Sequence, residues 1–300
     1  MPDASVFRCG YVALIGRPNV GKSTLMNQLI GQKISITSNK PQTTRHRIIG
    51  IRSEADYQAV FVDTPGIHLQ AKKAVNRYMN RAAKSALDDV DLVVFVIEAG
   101  RWTPEDEHVL RQLKGVKQPV ILALNKIDFI KDKDALLPLL QQLSGKHDFA
   151  ALVPLSALKR TNLGEVLKVI AAQLPENPPL YDDDQITDRS SRFLAAEIVR
   201  EKLMRTLGQE LPYALTVEIE QFKEEENLLD IAALIWLERE SQKSIVIGKG
   251  GELLKKVGQQ ARADMEALFQ SKVFLRLWVK VKEGWSDDER ALSSLGYTEG

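Results

Sequence analysis

The sequence is poor in the features that mark secreted and membrane proteins. Cys9 is the only cysteine among 300 residues, so no disulfide can form within the chain. The longest wholly apolar run, LVVFVI from Leu92, is too short to span a bilayer. The first ten residues lack the apolar stretch of a signal peptide. We therefore expect a reduced, cytoplasmic protein in which Cys9 is a buried and inert thiol.

The chain also lacks an excess of charge of either sign, with 41 Lys and Arg residues against 40 Asp and Glu residues. This balance hides a local asymmetry, because residues 239–282 hold 10 basic and 4 acidic residues. Such a basic patch is more often solvated surface than a site for a polyanion. Charge alone is therefore weak support for a nucleic-acid partner.

Apolar β-type runs alternate with helix-period segments from Gly10 to about Gln173. The β-type runs are YVALIG, YQAVFVD, DLVVFVIE, PVILALN and AALVPLS. This alternation predicts an α/β domain, residues 1–174, with a mainly parallel sheet covered on both faces. The segment TRHRIIGIRSE indicates an additional, more exposed strand.

The segment LPENPPLYDDDQITD breaks this rhythm, because its prolines cannot sustain a helix or a central strand. We interpret residues 175–188 as a linker. The patterns in residues 189–300 then follow the order helix, strand, strand, helix, strand. They predict a second, α+β domain with a C-terminal helix.

The stretch GRPNVGKS from Gly16 to Ser23 fits the phosphate-loop pattern G-x-x-x-x-G-K-[ST] and lies between a strand pattern and a helix pattern. Backbone N–H groups of such a loop point at phosphate oxygens, and the helix N-terminus adds positive potential. We expect Lys22 to reach the β- and γ-phosphates and Ser23 to offer its hydroxyl to Mg²⁺. The predicted phosphate-binding residues are Gly16, Asn19, Val20, Gly21, Lys22, Ser23 and Thr24.

The motif DTPG follows the apolar run AVFV. Its aspartate, Asp63, suits a carboxylate that reaches Mg²⁺ through water at the end of a strand. Gly66 allows a backbone N–H to approach the γ-phosphate. The pattern D-x-x-G is common by itself, and only its position after the phosphate loop favours this function.

The motif NKID indicates which base is bound. The Asp128 carboxylate can accept hydrogen bonds from N1–H and the 2-amino group of guanine, which adenine lacks. Lys126 can cover the base, and Asn125 can tie this loop to the phosphate loop. The tripeptide SAL follows the next strand pattern, where the N–H of Ala157 can meet guanine O6. The predicted residues here are Asn125, Lys126, Asp128, Ser156, Ala157 and Leu158.

A second glycine-rich turn, GKGG, lies between helical patterns in the C-terminal part. It is too short for a nucleotide loop but fits G-x-x-G, which clamps the backbone of about four nucleotides in KH domains. The alternative is a plain helix-entry turn; the order of elements and the local basic charge favour RNA. The predicted RNA-binding residues are Ile247, Gly248, Lys249, Gly250, Gly251, Lys255 and Lys256.

The motifs GRPNVGKS, TTR, DTPG, NKID and SAL, followed by a GKGG domain, closely resemble those of the Era family of Era/TrmE-type GTPases. The resemblance covers nearly all of the chain. It implies a P-loop GTPase domain followed by a type II KH domain, with GTP, GDP and Mg²⁺ as ligands. It also implies that KPQTTRHR is switch I, in which Thr44, with Thr43 as the alternative, binds Mg²⁺ when a γ-phosphate is present. Residues 64–85 would form switch II.

The resemblance further implies a partner and a location. The partner is 16S rRNA near its 3′ end, and the role is in assembly of the small (30S) ribosomal subunit. Peripheral association with the inner face of the cell membrane is implied as well, although the sequence shows no anchor for it. We expect a monomer.

The sequence departs from Ras-like enzymes after D-x-x-G. Ile67 occupies the position of the glutamine that orients the attacking water. The adjacent His68 could take over this role, but an ordinary surface-loop histidine explains it at least as well. We therefore expect slow hydrolysis that relies on Lys22, Thr44 and Gly66. Asn19 has two open interpretations, a ligand of K⁺ and a brace of the loop.

Two other classes of function fit parts of the sequence. A phosphotransferase would use the same phosphate loop, but NKID argues against it. A pure RNA-binding adaptor would need a degenerate nucleotide site, and the intact Lys22, Ser23 and Asp63 argue against that.

Overall fold

The computed structural model describes residues 6–66, 73–208, 210–295 and 297. These residues form two compact units. The first unit comprises the described residues of 1–35, 44–71 and 79–188, and the second comprises those of 36–43, 72–78 and 189–300. The second unit thus takes in two segments that the domain prediction assigned to 1–174. The segment predicted as a linker, 175–188, belongs to the first unit.

The first unit is built on a six-stranded sheet in the order β2-β3-β1-β4-β5-β6. Its strands are β1 (Arg8–Ile15), β2 (Ile48–Ser53), β3 (Tyr57–Asp63), β4 (Leu92–Glu98), β5 (Val120–Asn125) and β6 (Ala151–Pro154). Only the β2–β3 pair is antiparallel. The prediction of a mainly parallel sheet is therefore confirmed.

The strands of this sheet are buried almost throughout, as expected where helices cover both faces. The helices are α1 (Lys22–Ile30), α2 (Ala74–Ser85), α3 (Pro104–Leu113), α4 (Leu136–Ser144) and α5 (Leu163–Gln173). Of α2, only the residues from Met79 onward belong to this unit. Residues of α3 and α4 pack with Ile15, Phe95 and Leu122 in one core, while α1 and α5 contact β3. All parallel strands end at one edge of the sheet, where the motifs of the sequence follow them.

Strand β2 is less exposed than the sequence predicted. Ile48, Ile49 and Ile51 are all buried. The cause is the segment 175–188, because Ile51 N donates to Ile186 O at 2.9 Å and Thr187 Oγ1 donates to Ile49 O at 2.6 Å. The expectation of a more exposed strand was therefore wrong for residues 48–51, because residues 175–188 cover this edge of the sheet.

The second unit contains a three-stranded sheet in the order β7-β8-β9. Its elements are α6 (Ser191–Thr206), β7 (Leu215–Glu225), β8 (Leu228–Leu237), α7 (Lys243–Ile247), α8 (Glu252–Phe269), β9 (Lys272–Val281) and α9 (Glu289–Ser294). Helices α6 and α8 pack on one face through Val199, Leu203 and Val257. Strands β8 and β9 are parallel, so a crossover must join them. That crossover contains α7, the GKGG turn and α8. In the described part of the chain, no helix is long and apolar enough to cross a membrane.

Candidate functional sites

The phosphate loop runs from the end of β1 to the start of α1, as the motif predicts. Gly21 has φ 101°, and a Cβ added there would lie 2.4 Å from Nδ2 of Asn125. A glycine is therefore needed for the Asn125 amide to approach and donate to Val20 O at 2.8 Å. This hydrogen bond ties the loop of the NKID motif to the phosphate loop, as predicted for Asn125.

Lys22 is buried inside this loop. Its Nζ donates to Gly16 O at 2.9 Å and to Arg17 O at 3.1 Å. Burial lowers the pKa of Lys22 to about 8, although the nearby Asp63 opposes this shift. A phosphate group would supply the negative charge that favours the protonated amine.

The Asp63 carboxylate collects hydroxyl groups from three segments. Its Oδ2 accepts from Ser23 Oγ at 2.6 Å and Ser35 Oγ at 2.8 Å, and Thr44 Oγ1 lies 3.4 Å away. Its Oδ1 is buried and has no hydrogen-bond partner among the described residues. Burial raises the pKa of Asp63, opposed by these hydroxyls and by Lys22.

This cluster fits a magnesium ion. Mg²⁺ prefers oxygen ligands and, in nucleotide sites, uses few protein groups besides phosphates and water. Ser23, Thr44 and the unpaired oxygen of Asp63 supply that set. Among the described residues, no group of three His, Cys, Asp or Glu side chains is arranged to hold a metal ion.

The structure separates the two threonines proposed for switch I. Thr44 Oγ1 lies 2.8 Å from Ser23 Oγ. Thr43 Oγ1 instead donates to Lys40 O at 2.6 Å and lies 2.6 Å from Ser38 Oγ. Thr43 also belongs to the second unit. Of the two threonines, only Thr44 is therefore placed beside Ser23 and Asp63.

The base-recognition motifs meet after β5 and β6. Asp128 is exposed, and its Oδ1 accepts from Ser156 Oγ at 2.5 Å. The N–H of Ala157 donates to Asn125 Oδ1 at 2.9 Å, so it already has an acceptor other than guanine O6. Leu158 is 68% exposed. The structure thus brings Asp128 and Ser156 together and gives the Ala157 N–H a role in bracing the loop.

Two residues of this region carry no recognisable motif. Ser35 is fully buried beside Asp63. Asn27 on α1 fixes the segment that contains Ser35, because Asn27 Oδ1 accepts hydrogen bonds from Ile34 N and Ser35 N at 3.0 Å each. A single polar residue on a helix gives no signal of such a role, and the sequence therefore did not identify it.

The end of β3 leads into the DTPG segment. A Cβ added to Gly66 would lie 2.9 Å from the backbone of Pro18, so the glycine allows close approach to the phosphate loop. Ile67 and His68, on which the prediction of slow hydrolysis depends, lie outside the described residues.

The GKGG turn lies between α7 and α8, and three of its glycines have positive φ: 77° at Gly248, 59° at Gly250 and 82° at Gly251. Lys249, Lys255 and Lys256 are exposed. A groove of about 390 Å³ follows the turn between α8 and β9. It is lined by Gly251, Leu254, Lys255, Gly258, Gln259, Arg262, Val273, Phe274, Leu275 and Leu277. The sequence motif indicates the turn but gives no signal for Arg262 or the apolar side chains that line this groove.

Comparison with known proteins gives two family models and a set of full-length relatives. The model described as 50S ribosome-binding GTPase matches residues 11–126, and the KH domain model matches residues 210–286. The GTPase Era of Ectopseudomonas mendocina is 60% identical over 297 residues, covering 99% of both chains. This chain belongs to the Era family of GTPases. The GTPase Era of Marinobacter nauticus is 59% identical over 298 residues and covers 99% of this chain and 98% of its own.

Solved Era structures match over both units. Aquifex aeolicus Era bound to GDP and AlF₄⁻ has a TM-score of 0.94 at 41% identity, covering 98% of this chain and 100% of its own. Era in complex with MgGDPNP and nucleotides 1506–1542 of 16S ribosomal RNA matches with the same values. The predicted family, the fold class and the assignment as a GTPase are confirmed.

Proposed function

We propose that this Era-family GTPase binds 16S rRNA near its 3′ end through its KH domain and assists assembly of the 30S subunit in a GTP-dependent manner. The observation that carries this proposal is the full-length match to Era in complex with nucleotides 1506–1542 of 16S rRNA. The groove beside the GKGG turn supports it. This groove offers Lys255 and Arg262 for phosphates and an apolar wall that includes Leu254 and Leu275 for bases.

Different residues of the first unit have separate proposed roles in binding and hydrolysing GTP. Lys22 neutralises the β- and γ-phosphates, and the backbone N–H of Gly66 approaches the γ-phosphate. Ser23, Thr44 and Asp63 hold Mg²⁺, with Asp63 acting through water. The ion, when bound, neutralises charge that develops on the phosphate oxygens during transfer. Asp128 selects guanine, and Ser156 fixes its carboxylate.

Asn19 has a proposed role in turnover. It is exposed in the phosphate loop with φ 64°, a left-handed conformation that asparagine tolerates. We propose that its side chain ligates K⁺ beside the β- and γ-phosphates, where an arginine finger acts in other GTPases. The alternative is that Asn19 braces the loop without binding an ion.

The potassium proposal predicts faster GTP turnover in K⁺ than in Na⁺ at equal ionic strength. Substitution Asn19→Gly keeps the left-handed turn but removes the ligand, so it should abolish the difference between the two ions. Phosphate release measured in both salts checks this. Equal rates for the unsubstituted protein would leave Asn19 as a brace only.

The cellular setting follows from the same assignment. We propose a cytoplasmic monomer that associates with the 30S subunit. Peripheral membrane association, implied by resemblance alone, stays a prediction.

Binding of a short RNA tests the proposed function. An RNA with the 3′-terminal sequence of 16S rRNA should bind more tightly than a scrambled RNA of equal composition and length, measured at one stated salt concentration. Equal affinities for the two RNAs would show that the KH domain binds RNA only through non-specific contacts with phosphates. Phosphate release from GTP, measured in parallel, reports the catalytic part separately.

A further inference from the structure

An acidic side chain outside all the sequence motifs lies between the two loops of the nucleotide site. Glu98 is the last residue of β4. Its Oε2 accepts a hydrogen bond from Arg17 Nη2 at 3.0 Å and from Lys126 Nζ at 3.0 Å. Arg17 belongs to the phosphate loop and Lys126 to the base-recognition loop. One carboxylate oxygen therefore bridges both.

The Arg17 end of this bridge is fixed from the other side. Arg17 Nε donates to Asp106 Oδ2 at 3.1 Å, and Asp106 is fully buried. Asp106 also accepts from the N–H of Thr103 at 3.0 Å, as part of the capping box that starts α3. The guanidinium fork thus contacts two carboxylates held by two elements, β4 and α3.

The local charge is consistent with a stable link. Two cations, Arg17 and Lys126, meet two carboxylates, Glu98 and Asp106. Burial raises the pKa of Glu98, but hydrogen bonds and charge from Lys126 and Arg17 outweigh it and hold the pKa below its ordinary value. Glu98 therefore stays ionised at neutral pH.

We infer that Glu98 is a positioning residue that joins the phosphate loop to the base-recognition loop and thereby slows nucleotide release. It holds the Lys126 ammonium at one end, so that the stem of this side chain keeps its place for the base. At the other end it holds Arg17 of the phosphate loop. This inference rests on the proposed role of Lys126.

The hydrogen bonds that Glu98 accepts from Arg17 and Lys126 should stabilise bound GDP and bound GTP equally. None of these three residues is assigned to the γ-phosphate or the attacking water. Their contribution to binding is therefore the same in the ground state and the transition state, and the rate of the chemical step is unchanged. A second tie between the loops, from Asn125 to Val20, is independent of Glu98. Removing Glu98 therefore loosens the loops without separating them.

The test is Glu98→Gln, which keeps the shape and removes the charge. We expect GDP release to accelerate roughly tenfold, the loss typical of one charge-assisted hydrogen bond. Affinities for GDP and for a non-hydrolysable GTP analogue should weaken by one common factor. Single-turnover hydrolysis at saturating GTP should keep its rate. Glu176→Gln is the matched control, because Glu176 is exposed and pairs with Arg8 at 3.8 Å.

A double-substitution cycle separates positioning from a merely structural effect. If Glu98 acts through Lys126, Glu98→Gln should add little to the release rate in a Lys126→Met background, whereas independent effects would add. If Glu98→Gln fails to fold, Arg17→Lys takes its place in the test. This variant loses the guanidinium fork that contacts both carboxylates, so it should also accelerate GDP release. Release at the unsubstituted rate from folded Glu98→Gln, or additive effects in the cycle, would overturn the inference. Absence of GDP binding by the unsubstituted protein would instead count against the proposed function.

Discussion

At the scale of single residues, the proposed selection of guanine depends on one exposed carboxylate. Asp128 is oriented by Ser156 Oγ at 2.5 Å, which leaves its other oxygen for guanine. Asp128→Asn exchanges an acceptor for a donor and should shift preference from guanosine to xanthosine nucleotides, with a loss of GTP affinity on the order of 10²-fold or more. Competition between GTP, ATP and XTP for the protein measures this preference. Asp132→Asn, an exposed position close by, is the control. Equal binding of ATP and GTP by the unsubstituted protein would contradict the assignment.

The burial of Lys22 predicts that nucleotide binding depends on pH. Burial lowers its pKa to about 8, so between that pH and its ordinary value of 10.5 the unfolded chain binds more protons than the folded protein. The free energy of unfolding without nucleotide should therefore rise with pH in this window. Nucleotide phosphates favour the charged amine, so binding above pH 8 takes up a proton and weakens as pH rises. From about pH 7 to pH 9 the Kd for GDP should increase roughly tenfold.

Calorimetric titrations at several pH values measure this increase. Lys22→Arg is the control because its guanidinium does not titrate, and its Kd, although weaker, should change little over the same range. An unsubstituted protein whose Kd follows the same pH course as Lys22→Arg would show that Lys22 is charged throughout.

At the scale of elements, the sequence predicted what local periodicity determines. The strands of the first unit follow the apolar runs that alternate with helix-period segments, and the GKGG turn lies between helices as its flanking patterns predicted. The burial of β2 was not predictable, because it depends on Tyr181 and Ile186, which are more than 120 residues away. The role of Glu98 was not predictable for a similar reason, because its partners Arg17 and Lys126 come into contact with it only in the folded sheet.

The GKGG turn carries the element-scale prediction. Gly251 has φ 82°, so any side chain there is strained, but asparagine and aspartate tolerate this region and differ only in charge. Gly251→Asp should weaken RNA binding well beyond Gly251→Asn, because the added negative charge lies where RNA phosphates approach. Both variants should bind GTP normally. RNA titrations of the two variants at one salt concentration measure the difference. Similar affinities for both would show that the RNA backbone does not pass this turn.

At the scale of the whole molecule, the second unit includes residues 36–43, which take in the first residues of KPQTTRHR, the segment predicted as switch I. Glu201 on α6 accepts from Thr37 N at 2.9 Å, and Arg205 Nε donates to Thr37 O at 3.0 Å. Lys40 Nζ donates to backbone carbonyls at the C-terminal end of α6. Helix α6 packs on α8, the helix that follows the GKGG turn. Residues 36–43 are thus anchored on the KH unit, and the next residue, Thr44, belongs to the first unit.

This arrangement predicts that the nucleotide state changes RNA affinity. Thr44 directly follows the anchored residues 36–43, so a γ-phosphate and Mg²⁺ that fix Thr44 also restrain this segment. Because the segment contacts α6, and α6 packs on α8, the nucleotide state can change the packing of α8. We expect RNA to bind more tightly with a non-hydrolysable GTP analogue than with GDP. By linkage, RNA should tighten GTP binding by the same factor, typically about 5–150-fold for coupled sites.

Titration of one RNA against both nucleotide states measures this coupling. Arg205→Ala removes a contact to Thr37 from an exposed side chain, so it should shrink the ratio of the two dissociation constants. Lys223→Ala, which removes an exposed positive charge from β7, should leave that ratio unchanged even if it lowers both affinities. Identical dissociation constants in the GDP and GTP-analogue states would mean that the two units work as independent modules joined by the chain. A ratio that Arg205→Ala leaves intact would keep the switch but place its coupling outside the contacts of α6 with residues 36–43.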